Sequence, residues 1–586
     1  MPNLATAATM QNGAERTFDP IAMEVFNNRL LTITEMMAIS MMRSSFSPQI
    51  KERRDFSVGL FDRRGWLVAQ GTHIPVHLGS LLGCVEGLLK RYPLEDIRPG
   101  DAFICNDPYV AGGTHLPDIS IATPIFFDGA LVGFAANIGH HSDVGGAVPG
   151  STAANAKTLF EEGLRIPVMR VARSGLVNEE LIELVALNSR LPEERALDLR
   201  VQIATNDRGV EATKQLINRM GVAKFEHAVE DVLAYTRRRL KRRIADLAPG
   251  KHSFTTFIDD DGLGEGDPVP MAATVFTEDG KLVIDLEGTG KEARGALNVA
   301  ESALRATVYY CVKTLLDPEL MANAGLMDAI DIRAPEGSIV NPRPPAACGA
   351  RTIACQRLAG AIFGAFQGLV AESTRIASGH DNLPSISFSG RRPDTGEVYV
   401  CGESMGGGGG ARSDSDGMDG IHVHITNSLN LPTEAFESEY PVLVEEYGLV
   451  SGSGGPGRHR GGMGITRQVR ALHDGTIFSG RSDRHKHGAP GFEGGWDGGR
   501  GRLLRNSGRP DEESLSSKIA HLVLKAGETV RIETPGGGGF GPPAERPIAE
   551  LARDLRDEII SVAEAEKAYG SEHTKAALAM LADPPS

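Results

Sequence analysis

Glycine limits the fold of this chain more than any other residue type. The chain has 70 glycines among 586 residues, and dense groups lie beyond residue 380, at 406–410, 451–464 and 536–539. Glycine runs are poor helix formers, and the short stretches between them, such as 397–401 and 529–533, predict strands. With helical patterns elsewhere and no regular strand–helix–strand alternation, this predicts an α+β, multi-domain fold. We expect mixed helices, largely antiparallel sheets and a C-terminal half rich in glycine, β-strands and loops.

Apolar periodicity indicates where the helices lie. Apolar residues recur every three to five positions from Ile21 to Met41, and Asp19 followed by Pro20 is typical of a helix start. Residues 176–247 predict helices with a break at Gly221, and 547–569 predict a final helix. The expected organisation is a flexible arm at 1–17, an N-terminal α+β domain at 18–248, a central α/β region at 249–378, a glycine-rich β domain at 379–545, and a C-terminal helix and tail at 546–586.

Two polar segments flank a predicted strand hairpin in the N-terminal domain. The strands at 119–127 and 131–138 are joined by a tight loop at Asp128-Gly129. A hairpin of this kind brings residues 115–118 close to residues 140–143. The two segments hold six side chains that suit Mn, Fe or Zn: His115, His140, His141, Asp107, Asp118 and Asp143.

Strand parity restricts the two adjacent histidines. Neighbouring residues on an extended chain face opposite ways, so His140 and His141 cannot both point inward. One is expected to bind a metal and the other to be a neighbouring or substrate-contacting group. Ordinary hydrogen-bonded turns are the structural alternative, but the density of histidine and aspartate favours a metal or catalytic site.

Four other motifs carry weaker signals. His73 and His77 have helical metal-site spacing, but Pro75 between them argues against a helix; one of them is expected to border the site. Asp55, at the start of a strand, is a candidate to orient water or assist a metal. Gly402-Glu403-Ser404-Met405-Gly406 matches a nucleophile elbow, yet the glycines that follow do not start a helix. Residues 452–457 match G-x-G-x-x-G but open no helix, and the sequence contains no P-loop motif.

Several of these stretches together resemble the hydantoinase B/oxoprolinase family. The resemblance spans residues 20–570, Tyr569-Gly570 included. The matching motifs are KERRDFS (51–57), IPVHLG (74–79), NDPY (106–109), GGTHLPD (112–118), HHSDVGG (140–146), EEGLRIP (161–167), GRHRGG (457–462) and TPGGGGFG (534–541).

The resemblance implies an enzyme subunit that holds a divalent metal, Zn, Mn or Fe. Carried onto this sequence, it implies His115, Asp118 and His140 as ligands, and Asp55, Asp107, His141 and Asp143 as near neighbours with catalytic roles. It further implies a hydantoinase A-like partner subunit that binds ATP and Mg, in an α2β2 or larger assembly. A partner of this kind accounts for the missing P-loop.

The expected function is therefore ATP-dependent opening of a cyclic amide: a hydantoin, 5-oxoproline or a lactam. An amide carbonyl is a poor electrophile; phosphorylation of its oxygen activates the carbon for attack by a metal-activated water. The first alternative is a subunit of an ATP-dependent ketone carboxylase of the acetone or acetophenone type. The second is a non-catalytic assembly subunit whose glycine loops bind a partner.

Charge and cysteine content limit the remaining classes. The net charge of −15 argues against a general nucleic-acid binder, which needs basic surface. The sequence has neither a signal-peptide pattern nor about 18 consecutive apolar residues, so we expect no membrane span. Six cysteines without a CxxC pair are typical of a reduced, cytoplasmic protein.

Overall fold

The structure is a computed structural model that describes residues 19–71, 73–264 and 266–582, so the predicted arm at 1–17 lies outside it. Helices and separate sheets confirm the α+β prediction. The described α-helices are α1 (Pro20–Ser44), α2 (Pro48–Lys51), α3 (His77–Arg91), α4 (Glu179–Leu187), α5 (Pro192–Met220), α6 (Val222–Ala245), α7 (Glu301–Leu316), α8 (Arg351–Phe366), α9 (Thr433–Glu439), α10 (Ile548–Arg556), α11 (Val562–Tyr569) and α12 (Ser571–Ala582).

The described strands form four sheets, in which only β10 and β11 pair in parallel. The first sheet contains β1 (Phe56–Asp62), β2 (Leu67–Gln70), β3 (Ala102–Cys105), β4 (Asp118–Phe127), β5 (Ala130–His140), β6 (Met169–Arg173) and β7 (Leu176–Val177). The second contains β8 (His252–Ile258), β9 (Val269–Glu278), β10 (Lys281–Asp285) and β11 (Ile330–Arg333). The C-terminal sheets contain β12 (Ser385–Arg391), β13 (Val398–Ser404), β14 (Val442–Leu449), β15 (Ile465–Ala471), β16 (Thr476–Arg481), β17 (Arg502–Arg505), β18 (Glu513–Ser514), β19 (Lys518–Leu524) and β20 (Thr529–Glu533).

The first sheet has the order β2-β1-β5-β4-β3-β6-β7 and is covered on both faces. Along β5, Ala135 packs into one apolar cluster with α1, while Phe134 and Ala136 pack into another with α3. Successive side chains of a strand point to opposite faces of the sheet, which explains why neighbouring residues of β5 belong to different clusters. Because both faces are buried, the polar residues of these strands, such as Ser57, Ser120 and Asn137, are buried as well. The sheet is a rigid support for polar side chains at its strand ends.

A single apolar cluster joins the N-terminal sheet to the central region. It extends along the chain from Phe61 to Ile425 and includes most of α8. Every residue of α8 except Gly364 is buried. The predicted regions at 18–248 and 249–378 therefore share a core, and α8 passes through it.

The glycine clusters pack against one another. A Cβ atom on Gly408 would lie 1.9 Å from the Gly462 carbonyl oxygen, and one on Gly537 would lie 1.9 Å from that of Gly409. Hydrogen bonds connect the same loops, with the Gly462 amide donating to Gly409 and the Gly537 amide donating to Gly462. Only glycine permits such close backbone contact. The clusters therefore build the core of a closely packed loop region in the C-terminal half.

The helix predictions are partly confirmed. Asp19 caps α1 by accepting hydrogen bonds from the backbone amides of Ile21 and Ala22, and Gly221 (φ 85°) separates α5 from α6. The single final helix at 547–569 was wrong, because the chain forms α10, α11 and α12 instead. The Ser561–Glu564 capping box starts α11 as a separate helix. Within the described residues, no helix has the length and apolar character needed to cross a bilayer.

A candidate metal centre at the ends of three strands

The predicted hairpin is present and brings the two polar segments together. β4 and β5 pair in antiparallel register with Asp118 opposite His140. The loop at Asp128 (φ 48°) and Gly129 (φ 80°) has the left-handed conformation of a tight hairpin turn. On the other side of β5, the His140 amide donates a 2.9 Å hydrogen bond to the Asp55 carbonyl. Asp55, Asp118 and His140 thus lie together on one side of the sheet, at the ends of the adjacent strands β1, β4 and β5.

Three side chains at this edge have the composition and spacing of a metal-binding set. His115, Asp118 and His140 each place one ligand atom within 4.8 Å of the other two. The Nε2 atom of His115 lies 3.0 Å from Oδ1 of Asp118, and the rings of His115 and His140 are 5.0 Å apart. His115 and Asp118 are buried, and His140 is partly buried.

The two oxygens of Asp118 have different environments. Oδ2 accepts hydrogen bonds from the Thr114 hydroxyl (2.5 Å) and from the Arg351 guanidinium (2.8 Å). Oδ1 is buried and has no hydrogen-bond partner among the described residues. Burial raises the pKa of Asp118, but the attraction of His115 and Arg351 outweighs it and holds the pKa well below its usual range. Asp118 is therefore an ionised carboxylate with one oxygen anchored and the other available as a ligand.

His115 and His140 also present unused nitrogen atoms. The Nδ1 atom of His115 lies 3.3 Å from the Gly349 carbonyl oxygen, which can only accept; with the proton on Nδ1, the lone pair of Nε2 is available to a metal. Burial, with Arg351 nearby, lowers the pKa of His115 to about 3, so the ring is neutral at pH 7. Burial likewise lowers the pKa of His140, whose Nδ1 is enclosed without a partner in the described structure.

These unsatisfied atoms fit a divalent metal. Leaving a buried polar atom unpaired costs about 1–3 kcal/mol, and His115, Asp118 and His140 each have one such atom in this cluster. Two neutral imidazoles and one carboxylate are suitable ligands for Zn, Mn or Fe. Three protein ligands leave positions for water or substrate. A bound divalent metal would give these atoms the partners that they lack in the protein alone.

Asp55 and His77 lie next to the three-residue cluster. Oδ2 of Asp55 accepts a 2.9 Å hydrogen bond from Gln49, and Oδ1 lies 3.5 Å from Nε2 of His77. The same His77 nitrogen lies 3.8 Å from Oδ1 of Asp118. His77 is the first residue of α3, while His73 packs beside Phe56. The expectation that one of the two histidines borders the site is thus met by His77.

Three of the predicted catalytic residues do not line the cavity next to this cluster. Asp107 accepts hydrogen bonds from the Tyr109 and Val110 amides and pairs with Arg165. Asp143 accepts from the Gly145 and Gly150 amides and pairs with Arg190. His141 bonds to Gln202 of α5 at 2.9 Å, on the side of β5 opposite to His140. Their contacts fix loops and pack the sheet, and strand parity accounts for the separation of His141 from His140.

The cavity lies between the N-terminal sheet and the C-terminal strands. It encloses about 890 Å³, its open mouth included, and Asp55, His77, His115 and His140 form one wall. Arg53, Arg351 and Arg481 also line it. The Nε atoms of these three arginines are buried and unpaired in the described part of the chain. Burial, with Arg351 nearby, lowers the pKa of Arg481 to about 9, so the group remains cationic at pH 7. The cavity thus combines cationic guanidinium groups with a histidine and carboxylate cluster.

Ser404 lies on the cavity wall without the geometry of a nucleophile elbow. It ends β13, and the residues that follow it are not helical, as expected from the glycine run. Its hydroxyl accepts a 3.0 Å hydrogen bond from Arg53. The elbow motif in the sequence is therefore a chance match.

Comparison with known proteins identifies the family. The family model for hydantoinase B/oxoprolinase matches residues 19–543. The chain belongs to this family. A Pseudomonas protein named as the putative B component of a D-/L-hydantoinase is 30% identical over 95% of both chains. 5-Oxoprolinase 1 from Arabidopsis thaliana is 34% identical over 90% of this chain, which spans only 42% of that longer protein.

Two solved structures share the fold of this hydantoinase B/oxoprolinase family member. An ATP-dependent caprolactamase from Pseudomonas jessenii superposes with a TM-score of 0.85 at 26% identity, covering 96% of this chain and 100% of that one. A nucleotide-free acetone carboxylase gives the same TM-score of 0.85 at 19% identity, covering 97% and 84%. The fold is common to both, so the chemistry has to be argued from the site.

Proposed function

We propose that this chain is the metal-bearing catalytic subunit of an ATP-dependent cyclic-amide hydrolase. The substrate is a hydantoin, 5-oxoproline or a lactam, phosphorylated on its carbonyl oxygen before the ring is opened. The observation that carries the proposal is the set of three buried, unpaired ligand atoms on His115, Asp118 and His140 at one cavity. Membership of the hydantoinase B/oxoprolinase family supports the same chemistry.

His115, Asp118 and His140 are the residues that would hold the metal, with Asp118 fixed by Thr114 and Arg351. A divalent metal supplies a Lewis acid there and lowers the pKa of bound water. Asp55 is the proposed proton acceptor. Burial raises its pKa, but His140, His77 and Arg53 outweigh that effect and keep it below the usual value, so the carboxylate is ionised.

The arginines of the cavity support an anionic, phosphorylated substrate. Arg53, Arg351 and Arg481 each line the cavity and each has a buried Nε without a partner among the described residues. Guanidinium groups bind phosphate oxygens with strong, charge-assisted hydrogen bonds. In the proposed reaction they orient the phosphorylated ring and stabilise the phosphate as it leaves. A neutral ring alone would leave these donors unused.

ATP is proposed to bind to a separate hydantoinase A-like subunit in an α2β2 or larger complex. The sequence contains no P-loop motif of its own. A relative of nearly the same length is named as the B component of a hydantoinase, which implies at least one further component in that enzyme. All six cysteines are free and buried, which suits a reduced, cytoplasmic compartment.

The test is turnover by the chain co-purified with its ATP-binding partner. We expect ring opening and release of phosphate that need ATP and are lost on chelation of the metal, with hydantoin, 5-oxoproline and caprolactam as the trial substrates. Turnover that needs bicarbonate and a ketone instead would establish the carboxylase alternative. A complex that assembles but contains no stoichiometric metal would establish the assembly-subunit alternative.

A further inference from the structure

A second cavity lies at the far end of α8 from the candidate metal centre. It encloses about 850 Å³, its open mouth included, and is lined by residues of α7, α8 and the glycine-rich loops. Its walls include Tyr310, Phe363 and Phe492. The centroids of the Tyr310 and Phe363 rings lie 6.3 Å apart with a 30° angle between the ring planes, and the two rings give the cavity an aromatic side. We call it the aromatic chamber.

The aromatic chamber and the metal-centre cavity share two elements. On α8, Arg351 and Thr352 line the metal-centre cavity, while Gly360, Phe363 and Gly364 line the chamber further along the helix. The segment 421–428 also lines both cavities. Its residues 421–424 line the chamber, and Thr426 and Ser428 line the metal-centre cavity. The two cavities therefore lie along the same two segments of the chain.

The chamber contains a histidine–aspartate pair that is held in strained backbone. Nε2 of His424 lies 2.7 Å from Oδ1 of Asp381, and the Arg484 guanidinium donates a 2.8 Å hydrogen bond to Oδ2. His424 (φ 54°), Asp381 (φ 38°) and Arg484 (φ 66°) all have left-handed backbone, which is costly for residues other than glycine. The pair fixes the imidazole of His424 against Phe363, whose ring lies 5.1 Å away.

His422, in the same wall, has a ring nitrogen that lacks a partner. Thr426 donates its single hydroxyl proton to the Val423 carbonyl at 3.1 Å, so towards Nδ1 of His422, 3.5 Å away, it can only accept. With the ring proton on Nδ1, Nε2 carries a lone pair. Nε2 is buried and unpaired among the residues described. Burial, with Arg53 nearby, lowers the pKa of His422 to about 4, so the imidazole is neutral.

We propose that the aromatic chamber binds the uncharged cyclic amide, with the flat ring against Tyr310 and Phe363 and a ring N–H donated to Nε2 of His422. Stacking surfaces select a planar ring, and an unpaired acceptor selects a ligand with a donor. The metal-centre cavity differs, because its arginines suit an anion. The inference rests on the proposed function for the identity of the ring, and it adds a second site for the ring before it is phosphorylated.

The test uses hydantoin as the probe and the full chain carrying His140→Ala, which removes the metal site from the measurement. We expect calorimetry to detect hydantoin binding to this variant at about one site per chain. 1,3-Dimethylhydantoin, which has no N–H, is the matched control ligand and should bind at least tenfold more weakly. Adding His422→Phe, which keeps the ring shape, should weaken hydantoin binding at least tenfold. Adding Thr314→Trp at the exposed mouth of the chamber should also weaken hydantoin binding, because the larger side chain blocks the entrance.

Equal binding of the two ligands, or hydantoin binding unchanged by both chamber variants, would overturn the proposal. Circular dichroism confirms that each variant is folded. If a variant fails to fold, a wild-type crystal soaked with hydantoin provides the test. We expect ligand density in the chamber next to Tyr310, Phe363 and His422, and an empty chamber would contradict the proposal. Hydantoin binding without ATP-dependent turnover of hydantoin, 5-oxoproline or caprolactam would refute the proposed function and leave the chamber site standing. ATP-dependent turnover together with an empty chamber would refute the chamber site and leave the proposed function standing.

Discussion

Thr114→Val tests how the candidate metal centre is held in shape. The Thr114 hydroxyl donates to Oδ2 of Asp118 at 2.5 Å and accepts from Arg351 at 2.7 Å. Valine has nearly the same shape, so the substitution removes both hydrogen bonds without opening a cavity. Asp118 keeps its bond to Arg351 but loses one of the two groups that fix its rotation.

The expected magnitude follows from the charge and burial of Asp118. A hydrogen bond to a charged group contributes about 1.5–3 kcal/mol, and both Thr114 and Asp118 are fully buried. Loss of a group that orients a metal ligand lowers metal affinity about 10- to 100-fold. We therefore expect Thr114→Val to lose about 1.5–3 kcal/mol of unfolding free energy in the metal-free chain. Its metal affinity should fall about 10- to 100-fold.

The assay is metal competition against a chelator of known affinity, followed by urea unfolding of the metal-free protein. Thr123→Val is the matched control, because its hydroxyl is also buried in β4 but accepts its hydrogen bond from the Asn206 amide, away from the cluster. The control should lose stability and keep its metal affinity. Equal metal affinity in Thr114→Val and wild type would refute the argument that Thr114 orients Asp118.

Further variants test the catalytic set and the glycine loops. Asp118→Ala and His140→Ala should each abolish ATP-coupled ring opening while the complex still assembles on a sizing column; activity that persists after metal loss would disprove the ligand assignment. Ser404→Ala should keep near wild-type turnover, because Arg53 retains its bonds to Gln49 and Gly402; complete loss would revive a serine nucleophile. Gly537→Ala should destabilise by about 3 kcal/mol or more in urea unfolding, whereas Gly402→Ala, with no atom within 4 Å of its Cβ, should be nearly neutral.

Local chemistry made the hairpin and its polar ends predictable. The Asp128-Gly129 turn, the apolar strands on each side of it and the parity of His140 and His141 all involve residues close together in the sequence. The turn alone would place Gly139 opposite Asp118, and a register shift between Ile125 and Phe126 moves the pairing by one residue, so that His140 lies opposite Asp118. The sequence therefore sufficed to bring the histidine and aspartate segments together.

Contacts between distant segments could not be predicted in the same way. Arg351 reaches Asp118 across 233 residues of sequence, and Arg481 reaches the Gly349 carbonyl across 132. No local pattern marks either arginine, because both positions depend on how α8 and the C-terminal strands pack on the first sheet. His77 was undervalued for a related reason: its spacing from His73 was tested as a helical pair, while its actual neighbours are Asp55 and Asp118.

Metal analysis of the purified chain tests the central claim most directly. We expect about one divalent metal ion per chain in the wild-type protein, and its loss from His115→Ala while the fold is retained by circular dichroism. His73→Ala is the matched control, since His73 packs beside Phe56 and lies outside the three-residue set, and it should keep the metal. A wild-type chain without stoichiometric metal, or a His115→Ala variant with an unchanged metal content, would contradict the account.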